Sequence, residues 1–319
     1  MIVHWGLDEL EAVLRELGVE RPYAVASDRW ANLPLRASGR WSEVPTHRIG
    51  DVAEAAGDAD ALLAVGGGSA IDLAKAVSAE TGLPVVSVPT TYSGAEWTPT
   101  FGIRDPDRRM KGGGGGARLA GIVYEPRLML ELPREVSGGT ALNALAHSAE
   151  ALYTAGHNAD GDREALEGAR PIGEWLPRVL EDGHDLEART RLLAGAQHAG
   201  AALGSAGLAL GHAMAQAVGG RYGIAHGAAN ALCLPPALRF NEPVAPEAIA
   251  RFGESLGADP PAKVEELARL TGFTRLRELG VPEDELDEVA EATVQRAGAR
   301  ANPRPATAAE VAELFRSIY

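Results

Sequence analysis

The chain has 319 residues, 45% hydrophobic and 23% charged, enough for a large buried core and better suited to two domains than one. Its 30 Lys and Arg against 44 Asp and Glu leave a formal net charge of −14, which argues against a nucleic-acid partner because phosphate binding needs clustered cations. A small anionic substrate stays open, since a local pocket can oppose the global sign.

The opening "MIVHWGLDELEAVLRELG" has no basic stretch followed by an apolar one, so no signal peptide is expected. No run of about 18 apolar residues occurs that would predict a membrane span. The single cysteine, Cys233 in "ANALCLPPAL", cannot form an internal disulfide. It suits a reducing compartment, and its apolar surroundings point to packing rather than nucleophilic attack. The expected location is the cytoplasm.

In chain order, "LDELEAVLREL" has helical spacing, "YAVAS" is a short strand, and "ADALLAVGGGS" is a strand running into glycines. "AIDLAKAVSAETG" reads as a helix ended by Gly82, and "PVVSVPTT" as the next strand. Residues 101–121, with "RDPDRRMKGGGGGARLAG" at their centre, are too glycine-rich for a regular element and read as a mobile loop or hairpin tip. "GIVYEP" is one more strand, and "EPRLMLELP" a turn leading out of it. Strands alternating with helices imply a parallel sheet covered on both faces. From about Ser137 the pattern is Ala-rich and helical, over 137–155, 162–180, 186–217, 226–239, 245–256, 260–271, 284–297 and 307–319, with "NPRPAT" as a connector before the last helix. The expected division is an α/β nucleotide-binding domain over 1–135 and an all-α domain over 136–319.

Gly66, Gly67, Gly68 and Ser69 stand where a strand meets a helix. Backbone N–H groups in such a turn, with the positive end of the helix behind them, suit a phosphate or pyrophosphate. Thr90 and Thr91 end the next strand and Ser93 follows them. Ligands of open parallel sheets gather at these carboxyl ends, which favours a nucleotide. Asp28, just past the first clear strand, is either a solvated turn residue or an acceptor for a ribose diol; the latter would repel a 2′-phosphate and favour NAD over NADP. The spacing is not the ordinary G-x-G-x-x-G fingerprint.

Asn143 and His147 are four apart in "TALNALAHSAEALY" and share one helix face. His212 and His226 follow in "GHAMAQAVGGRYGIAH". Three imidazoles and an amide could be a metal site, a site that has lost its metal, or unrelated residues, as His4, His47, His157, His184 and His198 are taken to be. An asparagine is a poor fourth ligand because its oxygen carries no charge.

Together "GGGSAIDLAK", "VPTTYSGAEWT", "YEPRLMLELP", "NALAHSAEALY", "GHAMAQAVGGRYGIAHGAANALCLP" and "NPRP" resemble the iron-containing alcohol dehydrogenase family, which includes the maleylacetate reductases. The resemblance implies a dehydroquinate synthase-like fold with the active site in the cleft between the domains. It implies that Gly66–Ser69 bind pyrophosphate, that Thr90 and Thr91 make a second nucleotide contact, and that Asp28 goes with NAD preference. Lys111 falls where many members have a lysine close to the nicotinamide. Metal-dependent members carry Asp-x-x-x-His followed by two later histidines. Here His147, His212 and His226 match, but Asn143 replaces the aspartate, as in the maleylacetate reductase branch, which is described as working without a metal. Gln216 also replaces a histidine, and the chain is shorter around residues 30–50 and in its helical half.

The resulting expectation is an NAD(P)H-dependent reductase of a small carbonyl or oxo-acid, NAD favoured, with one of the three histidines as general acid and no obligatory metal. Asn143 and Lys111 would help bind an acidic substrate, and the enzyme is expected to be a homodimer. Two alternatives stay open: a metal-dependent alcohol dehydrogenase in which His147, His212 and His226 hold the ion, and a non-redox protein that binds a nucleotide or metabolite.

Overall fold

A computed structural model describes residues 1–107 and 109–319, which form two compact units. The first comprises Met1–Thr91 and Ala95–Met129; the second, Tyr92–Gly94 and Leu130–Tyr319.

The first unit holds β1 (Ile2–Trp5), α1 (Leu10–Glu16), β2 (Pro22–Val25), β3 (Gly39–Trp41), α2 (Ile49–Ala56), β4 (Ala61–Gly66), α3 (Gly68–Thr81), β5 (Pro84–Pro89), β6 (Phe101–Arg104), β7 (Met110–Gly114) and β8 (Arg118–Tyr124). Six strands form one parallel sheet in the order β1-β8-β5-β4-β2-β3. Successive residues of β4 point to opposite faces, and both faces are covered. Leu63 and Val65 pack with Leu10, Val13 and Leu14 of α1, while Leu62 and Ala64 pack with Val52 of α2 and Ile71, Ala74 and Val77 of α3. α3 ends where Gly82 turns left-handed at φ 76°.

Two expectations change here. β1 and β3 are strands of four and three residues whose extended form comes from pairing with β8 and β2 rather than from local pattern. Of the mobile loop and the hairpin expected over 101–121 the structure has the hairpin, but the glycines enter a regular element: Met110–Gly114 is a strand paired antiparallel with Phe101–Arg104. Arg108, inside that expected loop, lies outside the described residues. The hairpin is tied to α3 by buried Lys75, whose Nζ donates to Ala95 O at 2.7 Å and Thr100 O at 2.5 Å and pairs with Asp72 at 2.8 Å.

The second unit holds α4 (Arg134–Ala151), α5 (Ala159–Glu181), α6 (Leu186–Ala206), α7 (Leu210–Tyr222), α8 (His226–Asn241), α9 (Pro246–Leu256), α10 (Pro260–Thr271), α11 (Leu286–Val294), α12 (Ala297–Ala301) and α13 (Ala308–Ser317). It begins ahead of residue 136 because the carbonyl of Leu132 accepts hydrogen bonds from Ser137 and from Arg189 of α6. α4 is buried almost continuously from Ser137 to Ala151. The expected single helix over 186–217 is two, broken at Gly207 (φ 91°). α7 restarts because a buried carboxylate, Glu150, accepts the backbone N–H groups of Ala209 and His212, and Asn302 of the "NPRP" stretch accepts that of Leu210. These capping partners lie far away in sequence, so local periodicity could not reveal the break. No helix among the described residues is long and apolar enough to cross a membrane.

Candidate active site

In the first unit, Asp28, the Gly66–Ser69 turn and Thr90–Thr91 follow the carboxyl ends of β2, β4 and β5, which are neighbours in the sheet. Gly66 has φ 155°, and Thr90 N donates to its carbonyl at 3.0 Å. A Cβ on Gly67 would stand 2.8 Å from Thr91 Cγ2, so this glycine keeps the cradle open. α3 starts without a side-chain cap, and Thr91 Oγ1 is buried with no hydrogen-bond partner among the described residues. Uncapped N–H groups, a helix N-terminus and an unsatisfied hydroxyl together fit a pyrophosphate. Gly67→Ala is expected to raise KM for the reduced nicotinamide dinucleotide by about tenfold or more, with little change in kcat, as steady-state kinetics would show.

Asp28 is exposed. Lys111 lies on exposed β7, its Nζ 2.9 Å from Asp105 Oδ2, an interaction that holds the Asp105 carboxyl below its usual range. Ser93 belongs with the helical unit, where its carbonyl accepts from Asn143 Nδ2 at 3.0 Å.

In the second unit, Asn143 and His147 project one turn apart from α4, His212 lies in the first turn of α7, and His226 opens α8. The three rings converge: His147 and His212 are stacked with centroids 4.8 Å apart, and His226 lies 5.7 Å from His212. His147 and His212 are 3% and 1% exposed, whereas His226 is half-buried, so water reaches the cluster most readily there. Burial, followed by the neighbouring His212 and His226, pushes the pKa of His147 well below its ordinary value and keeps that ring neutral.

Two residues that sequence reasoning missed complete the arrangement. Asn230 donates from Nδ2 to Asn143 Oδ1 at 2.7 Å and to His226 Nε2 at 3.0 Å. Its signal was available, because His226 and Asn230 repeat the four-residue imidazole–amide spacing of Asn143 and His147 in reverse. Glu150, fully buried and three residues beyond His147, lies 2.8 Å from His212 Nδ1. Its spacing on α4 is legible, but its partner on α7 is not.

The segment Tyr92–Gly94 is held by the buried guanidinium of Arg189, which donates to Tyr92 Oη at 3.2 Å and Ser137 Oγ at 2.7 Å. A Cβ on Gly94 (φ 71°) would stand 3.3 Å from His147 Nδ1, so glycine lets this turn lie against the imidazole.

A divalent cation would need ring nitrogens and a charged oxygen turned toward one point. The ring nitrogens on the inner side are taken up by amides: His147 Nε2 by Asn143 Nδ2 at 3.4 Å, His226 Nε2 by Asn230, and His212 Nε2 by Asn143 Oδ1 at 3.3 Å. Among the described residues no carboxylate faces the centre, since Glu150 is turned to the start of α7. Among the described residues no group of three or more His, Cys, Asp and Glu is placed to hold a metal ion. The set as arranged does not fit one. Cys233 is buried in the apolar core of this unit, which pushes its thiol pKa far up and leaves it inert.

Comparison with known proteins agrees with the fold and the order of these motifs. Residues 138–319 match the Fe-containing alcohol dehydrogenase family, C-terminal, and residues 37–120 match iron-containing alcohol dehydrogenase. A maleylacetate reductase of Sphingobium indicum is 36% identical over 298 residues, covering 91% of this chain and 84% of that protein. Maleylacetate reductase 2 of Cupriavidus pinatubonensis is 33% identical, with 98% of this chain and 92% of that protein covered. The crystal structure of maleylacetate reductase from Agrobacterium tumefaciens superposes with a TM-score of 0.88 at 28% identity, covering 100% of this chain and 95% of that one.

Proposed function

The chain belongs to the iron-containing alcohol dehydrogenase family, and we propose that within it the protein reduces a small oxo-acid, maleylacetate or a close relative, without an obligatory metal. It is an NAD(P)H-dependent oxidoreductase. The observation that carries the metal-free reading is Asn143: a neutral amide, hydrogen-bonded on both sides, stands where the metal-dependent motif has aspartate.

When bound, the reduced nicotinamide supplies a hydride. The chain's own residues do the rest. Gly66–Ser69 and Thr91 bind the pyrophosphate. The amide and imidazole groups of α4, α7 and α8 orient the oxo-acid and deliver a proton to the oxygen on which negative charge develops. A neutral amide in place of aspartate also avoids like-charge repulsion with an acidic substrate. The net charge of −14 speaks against a nucleic-acid partner, the lone cysteine suits the reducing cytoplasm, and the commonness of two-fold oligomers favours a homodimer.

The test is metal analysis of purified protein together with NADH oxidation against a panel of oxo-acids and aldehydes, with and without chelator. Turnover of an oxo-acid by metal-free protein, unchanged by chelator, is the expected result. Stoichiometric metal with chelator-sensitive turnover would overturn the metal-free mechanism.

NAD is the proposed cofactor, because the Asp28 carboxylate would repel a 2′-phosphate and accept from a 2′-hydroxyl. Asp28→Ser is expected to shift the NADPH-to-NADH ratio of kcat/KM upward by about tenfold. An unchanged ratio would remove Asp28 from cofactor choice.

A further inference from the structure

Three histidines meet in one cluster, and their hydrogen-bond partners tell them apart. Backbone groups, whose donor and acceptor roles are fixed, anchor the hydrogen-bond network at both ends. At one end, the Ser93 carbonyl can only accept, so Asn143 must present its Nδ2 there and its Oδ1 to the other side. That oxygen accepts from Asn230 Nδ2, which leaves Asn230 donating to His226 Nε2 as well. At the other end, the backbone N–H groups of Ala209 and His212 can only donate, so both Glu150 oxygens accept from them, at 2.7 and 3.1 Å.

Between these anchors the imidazoles divide. His147 Nε2 and His226 Nε2 each face an amide N–H and therefore carry no hydrogen. His212 alone has an acceptor on each side: Glu150 Oε2 at 2.8 Å from Nδ1 and Asn143 Oδ1 at 3.3 Å from Nε2. Each of its ring nitrogens therefore faces an acceptor that a hydrogen on it would satisfy.

We propose that Glu150 is a positioning residue that makes His212 the proton donor of the reduction, an assignment that rests on the oxo-acid reductase reading above. The carboxylate suits this task because the start of α7 stabilises its charge and the surroundings hold it in place. It accepts two backbone N–H groups at a helix N-terminus, and Gly211 leaves room for it, since a Cβ there would come within 2.8 Å of Glu150 Oε1. Asn302, paired with Asn241, holds Leu210 N, so the turn carrying His212 is bound on two sides.

In the step itself, a bound reduced nicotinamide would supply the hydride that the substrate carbon takes, becoming oxidised in return. The substrate oxygen takes the proton from His212 Nε2, in place of the long contact to Asn143. His212 is left neutral, its Nδ1–H still on Glu150, and regains a proton from water.

The test begins with wild-type protein labelled with 15N in histidine. The His212 signals are identified by their loss in His212→Asn. Both His212 ring nitrogens are expected in the protonated range, with His147 showing one protonated and one bare nitrogen. A bare His212 Nε2 would overturn the proposal without any appeal to activity.

The second arm is Glu150→Gln, whose amide sets an N–H against a backbone N–H in either orientation and cannot hold the ring as the carboxylate does. Its kcat with an oxo-acid is expected to fall on the order of 10²- to 10⁴-fold, with KM for NADH unchanged and His212 reduced to a single ring proton. Glu150→Asp should recover part of the rate and both ring protons. Variants that lose thermal stability yet keep wild-type kcat when folded would show a structural role only and overturn the assignment. A wild type that reduces no oxo-acid instead overturns the reductase reading, and the donor role with it.

Discussion

Asn143→Asp is expected to make the histidine cluster bind a divalent cation far more tightly than the wild type does. In the wild type the central side chain is neutral, and its Oδ1 already accepts from Asn230 and faces His212. A carboxylate there adds a full charge among three imidazoles. Each unit-charge attraction at about 4 Å is worth about 4 kcal/mol at an effective dielectric of about 20, and a divalent ion doubles it. Without metal the same carboxylate would stand against the Ser93 carbonyl, which the Asn143 amide now satisfies. The variant should therefore be less stable than wild type in chelator and gain stability on adding Zn²⁺, by about 4 kcal/mol when the ion is at about 1,000 times its Kd. Thermal melts in chelator and in Zn²⁺, with calorimetric titration, measure both effects. Equal zinc affinity for variant and wild type would show that the charge at residue 143 does not decide metal binding. The mechanism proposed above would then lose its main support.

The second large effect is expected from Gly227→Ala. A Cβ at Gly227 would stand 2.3 Å from the carbonyl carbon and oxygen of Gly139, so the clash is with backbone and no side chain can swing aside. α4 and α8 would have to separate. Those helices carry Asn143 and His147 on one side and His226 and Asn230 on the other, joined by the 2.7 Å bond between the two amides. The cost is expected at about 3 kcal/mol, the upper end for overpacking, with kcat reduced at least about tenfold in the protein that still folds. Gly50→Ala in α2 is the control, since nothing lies within 4 Å of its added methyl. It should be neutral or stabilising by less than about 1 kcal/mol, the helix-interior value, because Gly50 lies in the first turn of α2. Denaturant unfolding of the pair, with kcat on each, decides the matter. A Gly227→Ala protein as stable and as fast as wild type would mean that α4 and α8 can part without disturbing the cluster.

The two halves of the chain were legible to different depths. β4, α3 and β5 could be read directly, because a strand buried on both faces is a continuous apolar run and a helix that follows it needs glycines at its start. β1, β3 and β7 could not. Ile2–Trp5 and Gly39–Trp41 are too short to show a period, and three of the five residues of Met110–Gly114 are glycine, so only pairing with a neighbour makes any of them a strand. The break at Gly207 escaped for a related reason: Ala-rich spacing continues through it, while the groups that restart the helix, Glu150 and Asn302, lie far away in the chain.

The same divide runs through the candidate site. The sequence alone determined the fold class, the glycine turn at Gly66–Ser69 between a strand and a helix, and an asparagine set one helical turn before His147. Each is a property of residue type at a short spacing, which local chemistry and chain stiffness are enough to interpret. Only the tertiary structure decided how those residues act together: that Asn143 is turned by the Ser93 carbonyl, that Asn230 joins it, and that Glu150 belongs to His212 although it sits three residues from His147. A hydrogen bond depends on the direction in which two groups meet, and for residues on different helices that direction is set by packing rather than by their separation along the chain.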